Sequence, residues 1–77
     1  MNERKKLARR MKEARERAGI GQAAAAYRAG MNRDVLVRIE AGLQDPTPAQ
    51  LEKLAAMYGA DLQIWNKYAG GSDHNEN

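Results

Sequence analysis

The stretch GIGQAAAAYRAGMNRDVLVRIEAG, residues 19–42, decides the fold of this chain. It holds two runs of residues that favour helix, Gln22 to Ala29 and Arg33 to Ala41. Only three residues, Gly30 to Asn32, lie between the two runs, which leaves room for a tight turn and nothing more. The sequence therefore predicts two short helices packed against each other across that turn.

The ends and the inner face of these two helices can be located residue by residue. Asn32 directly precedes the second helix, and asparagine is among the residues preferred at a helix N-cap. Gly30 and Gly42 follow the two helices, where a residue with positive φ is often needed. Leu36 and Ile39 are three residues apart and therefore share one face of the second helix. We expect that face to point into the core.

A longer helix is predicted before this pair, from about Asn2 to Ala18. Its apolar residues recur at helical spacing and form one stripe: Leu7, Met11, Ala14 and Ala18. The other faces carry Arg, Lys and Glu, so the helix is amphipathic. We expect the stripe to lie against the core and the helix to end at Gly19.

A fourth helix has the strongest start signal in the chain. Thr47, Pro48 and Gln50 combine an N-cap, a proline at the first helical position and a capping-box partner. The helix is predicted to end at Gly59. Its inward residues are predicted to be Leu51, Leu54, Ala55 and Tyr58.

A fifth helix completes the predicted architecture. Asp61 can cap a helix from Leu62 to about Tyr68, with Leu62 and Trp65 as its core residues. A chain of 77 residues makes a single small domain, and its core is small because fourteen of the apolar residues are alanine. We predict a compact all-α five-helix domain over residues 1–69 and a disordered polar tail over residues 70–77.

The residue inventory argues against several classes of function. The chain has no cysteine, and its one serine and one histidine, Ser72 and His74, both lie in the predicted tail. A tail of this kind cannot hold a nucleophile and a base in register, so we expect no catalysis, no cofactor and no metal. No apolar run approaches the roughly 20 residues that span a bilayer, and the N-terminal stretch lacks the apolar centre of a signal peptide. We expect a cytoplasmic protein.

Charge is unevenly distributed along the chain. Residues 1–38 carry eleven Lys and Arg against four Asp and Glu, whereas residues 39–77 carry two against six. The excess of positive charge in residues 1–38 favours a polyanionic partner, either nucleic acid or an anionic membrane surface. A helix–turn–helix hairpin of this spacing places its second helix in the DNA major groove, although the helix hairpin of an ordinary bundle would have similar spacing.

Particular residues then resemble the Cro and phage-repressor type of helix-turn-helix family, also called lambda-repressor-like. The resemblance extends from Leu7 to Trp65. The resemblance rests on five features. They are the Gly-hydrophobic-x-Gln run from Gly19 to Gln22, Ala26 at the helix crossing, Gly30 in the turn, Ile39-Glu40-x-Gly42 at the end of the third helix, and Leu54-Ala55-x-x-Tyr58-Gly59 at the end of the fourth. The resemblance implies a regulator from a bacterium or phage that binds double-stranded DNA as a homodimer on a pseudo-palindromic operator and represses by occupancy.

The second helix of the pair supplies the expected base contacts. A cation in the first turn of a helix opposes its dipole, so Arg33 has no local structural reason to be there and is expected to face DNA. The family position makes Asp34 a base reader, although an anion in a first turn is also explained by the dipole. Val37 and Arg38 lie one turn further along the same face, Val37 suited to a thymine methyl and Arg38 to a base or a phosphate.

Phosphate contacts are expected from side chains around that helix. Gln22 matches the phosphate-contacting glutamine of the family and opens a helix whose unpaired N–H groups attract anions. The other expected phosphate contacts are Asn32, Arg10 and Gln44. The family also pairs an arginine of the first helix with a glutamate at the end of the third, which here implies a structural ion pair between Arg15 and Glu40.

The remaining surface has one expected role, and three alternatives to the expected function stay open. Met57, Ile64 and Tyr68 fall outside the inward stripes and are expected to form the dimer interface. The neutral Val37 and Leu43 favour instead an antitoxin or adaptor of the same fold that binds a protein partner. A basic helix on a membrane surface is a weaker alternative, because the apolar stripe of the first helix is narrow and already assigned to the core. A purely structural bundle is the third.

The chain also departs from the family pattern. Gly21 stands where a Ser or Thr cap is usual, Ala25 where a bulky Leu is usual, and Ala41 where an Asn is common. The loop from Leu43 to Pro46 has no Lys or Arg for phosphates. We therefore expect weaker and less salt-sensitive DNA binding than the family pattern alone would imply.

Overall fold

The computed structural model of the chain describes residues 3–69. Within that range there are five helices and no strand, which confirms the predicted all-α class. The helices are α1 Glu3–Arg17, α2 Gln22–Arg28, α3 Arg33–Glu40, α4 Pro48–Tyr58 and α5 Leu62–Ala69. The predicted tail over residues 70–77 and the predicted helix start at Asn2 lie outside the described residues.

The local start and stop signals act largely as the sequence indicates. Thr47 Oγ1 accepts from the Gln50 backbone N–H at 3.1 Å, while Gln50 Oε1 accepts from the Thr47 N–H at 2.9 Å, so the capping box of α4 is complete. Asp61 Oδ1 accepts from the Gln63 N–H at the start of α5. Asn32 occupies the N-cap of α3 with an extended backbone, but its side chain makes no capping hydrogen bond. Asn32 therefore holds the predicted N-cap position without the capping hydrogen bond, and its side chain is exposed.

The core lies where α1 packs against α3, α4 and α5. Its largest fully buried side chains come from three of these helices: Leu7, Met11, Leu36, Ile39 and Leu54. Trp65 of α5 closes the core from the side and is 3% exposed. The predicted inward stripe of α1 was wrong at Ala18, which is exposed because it follows Arg17, the last residue of the helix.

The apolar contribution of the α2 segment to the core consists of alanine methyl groups. Ala25, Ala26 and Ala29 are all buried and belong to the core. Side chains this small let two helix backbones approach closely, but they bury little apolar area. The register between α2 and α3 therefore depends on additional contacts, which are polar.

Tyr58 carries a buried polar atom without a partner. Its hydroxyl has no hydrogen-bond partner among the described residues, and its ring meets Trp65 edge-on with the centroids 6.1 Å apart. Burial, assisted by the negative charge of Glu40 and opposed by Arg15, raises the pKa of Tyr58 to about 12. A buried hydroxyl that bonds to nothing costs free energy that the ring packing has to offset.

We expect Tyr58→Phe to raise the free energy of unfolding by about 1 kcal/mol, because it removes the unsatisfied hydroxyl and keeps the ring. The pKa of Tyr58 is higher in the folded than in the unfolded state, so its contribution is complete below pH 10 and is lost as the pH rises towards 12. Tyr58→Phe should therefore also lose less stability over that range than the wild type. Urea titrations at pH 7, 10 and 11 measure both effects.

Tyr27→Phe is the matched control for this prediction, since Tyr27 is 85% exposed. It should leave both the stability at pH 7 and its decline in base unchanged. A loss of stability in Tyr58→Phe would mean that the hydroxyl has a partner, such as an ordered water.

Candidate nucleic-acid interface

Helix α3 has one buried and one exposed face. Leu36 and Ile39 are 0% and 1% exposed and fix the helix to the core. The four positions predicted to contact bases lie on the other side, and all are exposed: Arg33, Asp34, Val37 and Arg38. Their spacing places them on one continuous strip over two turns. The strip therefore offers two guanidinium groups, one carboxylate and one apolar side chain to a partner.

The first turn of α3 keeps its charged side chains available. Within residues 3–69, Arg33 and Asp34 form no ion pair or side-chain hydrogen bond. Asp34 is favoured at this end by the helix dipole, whereas Arg33 is opposed by it. The exposed position of Arg33 therefore gives no stabilisation to the helix, and its charge is open to an external anion.

The last turn of α3 joins the loop that follows it. Arg38 Nε donates to Gln44 Oε1 at 2.8 Å, so two residues expected separately to contact DNA bond to each other. The same loop is tied to α1 by Asp45, whose carboxylate accepts from Arg4 Nε at 2.8 Å. Gly42, which follows the end of α3 and precedes this loop, has φ +76°, and a Cβ there would meet Lys5 Cγ at 3.0 Å. The positive φ is the main reason for glycine at this position, and a Cβ would in addition require the Lys5 side chain to shift.

A polar cluster holds the other end of the unit together. Arg15 Nε donates to Glu40 Oε2 at 2.7 Å and Arg15 Nη2 donates to Glu40 Oε1 at 3.0 Å, a bidentate pair. Arg15 Nη1 also donates to the Ile20 carbonyl at 2.9 Å. The pKa of Arg15 is raised, mainly by its hydrogen bond to Glu40. The pair implied by the family resemblance thus links α1, the turn after it and α3.

Gln22 also belongs to this cluster, a contact that no sequence pattern predicted. Its Nε2 donates to Glu40 Oε1 at 3.0 Å, so the side chain expected on a phosphate has one of its two amide N–H groups occupied. The second N–H remains for an external acceptor. Gln22 therefore fixes α2 to α3, and its position is set by Glu40.

Arg10, an expected phosphate contact, lies on the side of α1 that faces α5. Its guanidinium lies over the ring of Tyr68 at 4.9 Å from the centroid, on the side of α1 that faces α5. Arg15, one turn further on, points to α3. Arg10 therefore lies beside α5 in the structure, and its expected phosphate contact stays a prediction.

The three residues expected to form a dimer interface differ in exposure. Met57 and Tyr68 are half-buried and pack against the core of their own chain. Ile64 is 42% exposed. It lies beside a shallow groove of about 260 Å³ between α1 and α5, lined also by Arg10, Glu13 and Asp61. The open part of that surface is thus smaller than the sequence indicated and is centred on Ile64.

Residues 3–69 show neither a metal-binding cluster nor a membrane-spanning helix. No group of three or more His, Asp or Glu side chains there is arranged to hold a metal ion. None of the described helices is long and apolar enough to cross a bilayer.

We expect that breaking the Arg15–Glu40 pair lowers the free energy of unfolding far more than breaking an exposed ion pair does. Their side chains are 10% and 3% exposed, so Arg15→Met leaves a buried carboxylate without a counter-ion and should lower the free energy of unfolding by about 3–5 kcal/mol. Arg15→Met combined with Glu40→Leu should recover much of the loss, because no buried charge remains. Urea denaturation followed by circular dichroism measures each variant.

Asp45→Asn is the control for this prediction, since it weakens the exposed Arg4–Asp45 pair, whose side chains are 43% and 67% exposed. It should cost less than about 1 kcal/mol. Equal losses for Asp45→Asn and Arg15→Met would show that the buried pair has no special weight.

Comparison with known proteins agrees with this geometry. A search of curated proteins gives no significant match. The family model described as a helix-turn-helix domain matches residues 6–63, a range that begins within α1 and ends within α5 and so contains both helices of the hairpin. The chain therefore belongs to the helix-turn-helix domain family, as its sequence resemblance indicated.

Proposed function

We propose that this protein is a sequence-specific regulator of transcription that reads double-stranded DNA with α3. The observation that carries the proposal is the exposed strip of Arg33, Asp34, Val37 and Arg38 on a helix that is fixed to the core by Leu36 and Ile39. A rigid helix with such a strip fits the major groove, where hydrogen-bonding side chains distinguish the base pairs.

Each member of the strip has a base for which its chemistry suits it. The guanidinium groups of Arg33 and Arg38 match O6 and N7 of guanine, and the Asp34 carboxylate matches the N4 amino group of cytosine. Val37, 38% exposed, can pack against a thymine methyl. The combination of a carboxylate with two guanidinium groups makes the strip selective. Asp34 repels phosphate and accepts only a nucleobase that presents a hydrogen-bond donor.

Neutral amides supply the proposed phosphate contacts. The second amide N–H of Gln22, the uncapped side chain of Asn32 and the Nε2 group of Gln44 can each donate to a phosphate oxygen. These groups surround the strip at the start of α2, the start of α3 and the end of α3. Contacts of this type position the protein with little release of counter-ions, which favours modest salt dependence.

We further propose a homodimer formed through α5. Ile64 is an exposed apolar side chain, and the adjacent groove carries both signs of charge, Arg10 beside Glu13 and Asp61. A two-fold axis would bring each cation near an anion of the other copy. Two recognition helices about 34 Å apart would then meet successive major grooves of a pseudo-palindromic operator. Bound there, the dimer represses by occupancy in the cytoplasm, with no cofactor and no catalytic step.

A second candidate function is that of an antitoxin or adaptor whose main surface binds a protein. Tyr27 is 85% exposed and Leu43 is 65% exposed, and neither belongs to the proposed base-reading strip. Large apolar side chains this exposed are typical of protein contacts. This candidate predicts a co-purifying protein and little discrimination among DNA sequences.

We expect Arg33→Ala to remove base preference more than total affinity. Binding sites selected from random DNA by the wild type should give a half-site in which one guanine disappears for Arg33→Ala, with a loss of about 1–3 kcal/mol at that position. The slope of log affinity against log salt should stay constant, because no phosphate contact is lost. Fluorescence anisotropy on the selected site and on a scrambled site measures both quantities.

Lys67→Ala removes one positive charge from α5 and is the control. It should leave the half-site unchanged. If Arg33→Ala weakens selected and scrambled DNA equally, Arg33 contacts only the backbone. If the wild type selects no sequence at all, the regulator proposal fails and the protein-binding candidate is favoured.

We expect Ile64→Glu to weaken the dimer, because it places a charge in the centre of the proposed apolar contact. Sedimentation velocity over a concentration series should show a dimer for the wild type and a monomer for Ile64→Glu. Leu43→Glu makes the same change at an exposed apolar residue in the loop after α3, outside the proposed interface, and should leave the dimer intact. A wild type that is monomeric at all concentrations, or a dimer unaffected by Ile64→Glu, contradicts this interface.

A further inference from the structure

The contact between Arg38 and Gln44 has a consequence for what α3 can read. An arginine guanidinium has five N–H donors, one on Nε and two on each Nη. It can meet guanine with its end, through Nη1 and Nη2, or with its side, through Nε and one Nη. The bond from Nε to Gln44 Oε1, 2.8 Å long, occupies the side. Only the end of the Arg38 guanidinium then remains for a bidentate contact.

The choice of Gln44 as partner keeps the charge of Arg38 available. Asp34 lies four residues before Arg38 on the same face, and acid before base at this spacing is the favourable order for a helical ion pair. In the structure Arg38 bonds to the amide of Gln44 instead. Because an amide is neutral, it orients the guanidinium without cancelling its charge. Asp34 is likewise left for a partner outside the chain.

The Gln44 side chain stands on a loop that is itself fixed. The Leu43 N–H donates to the Arg38 carbonyl at 2.9 Å, so the backbone folds back on the very residue whose side chain Gln44 holds. On the other side, Asp45 is tied to α1 through Arg4 Nε at 2.8 Å. Gln44 is half-buried between these two attachments. Arg38 is therefore held at both its carbonyl and its Nε before any ligand arrives.

We propose that Gln44 is a positioning residue that determines specificity, and that it makes Arg38 an end-on reader of guanine. The proposal rests on the proposed function and adds a rule to it: the loop after α3 sets which base the last turn of α3 accepts. A side chain that is ordered in advance loses less rotamer freedom on binding, which increases the difference between guanine and other bases.

The test uses the full-length protein and pools of random double-stranded DNA. Sites are selected in parallel with the wild type, Arg38→Ala, Gln44→Met and Gln44→Glu. The position that loses its guanine in Arg38→Ala is the one that Arg38 reads, where the wild type should prefer guanine by about 5- to 150-fold. Gln44→Met keeps the length of the side chain but cannot accept from Nε, so it should reduce that preference by about 2- to 12-fold.

Gln44→Glu separates positioning from a simple phosphate contact. Its carboxylate still accepts from Arg38 Nε, so the guanine preference should be retained, while the added negative charge lowers the affinity for selected and scrambled DNA alike. A residue that only touched phosphate would lose affinity in both Gln44 variants without changing the preference at any base. Thermal unfolding of each variant confirms that the fold is intact.

The outcomes distinguish this proposal from the one on which it rests. If the wild type selects a half-site and Gln44→Met selects the same one with equal preference, Gln44 does not position Arg38 and the inference is wrong, although the regulator function stands. If Arg38→Ala loses no base preference, the inference also fails. A wild type without any selected sequence contradicts the proposed function itself.

Discussion

The buried ion pair between Arg15 and Glu40 is the constraint on which the rest of the structure depends. Glu40 ends α3, where the helix dipole disfavours an anion, and its side chain is 3% exposed. Arg15 compensates both costs with two hydrogen bonds and uses its third nitrogen on the Ile20 carbonyl. Through one guanidinium group, α1, the turn before α2 and the end of α3 are held in one arrangement. Gln22 adds α2 to the same carboxylate.

This polar cluster matters more because the hydrophobic contact beneath it is thin. Helix α2 presents only alanine methyls to the core, so the area it buries is small and the side chains provide little shape to fix its register. Hydrogen bonds are directional, and a bidentate pair fixes orientation better than methyl contacts do. The angle between the two helices of the hairpin is thus determined chiefly by Arg15, Gln22 and Glu40. The alanines allow α2 and α3 to approach closely, and the polar cluster determines at which angle they pack.

Features with a local cause could be predicted from the sequence, and features that join distant parts of the chain could not. Helix limits followed from nearby residues such as Thr47, Gln50 and Gly59, and they agree with the structure to within a residue or two. The bond between Arg4 and Asp45 joins positions 41 residues apart, and no spacing rule anticipates it. Arg10 was assigned by charge alone, yet an exposed cation has several possible neighbours, and the fold gives it Tyr68. The prediction of the Arg15–Glu40 pair rested on the family resemblance, because the periodicity of a helix does not show which charges pair between helices.

In the proposed function, the small net charge of the base-reading strip would link dimer formation to DNA recognition. Each exposed strip carries two cations and one anion, and the surrounding proposed phosphate contacts are neutral amides. The strip and the amides around it therefore add little general attraction for the duplex, since non-specific affinity depends mainly on the number of phosphates neutralised by Lys and Arg. In the proposed homodimer, joining two copies would make the second contact intramolecular and raise the overall affinity without any new contact. Recognition would then depend on the spacing of two half-sites as much as on their bases, because only a correctly spaced pair gains this advantage.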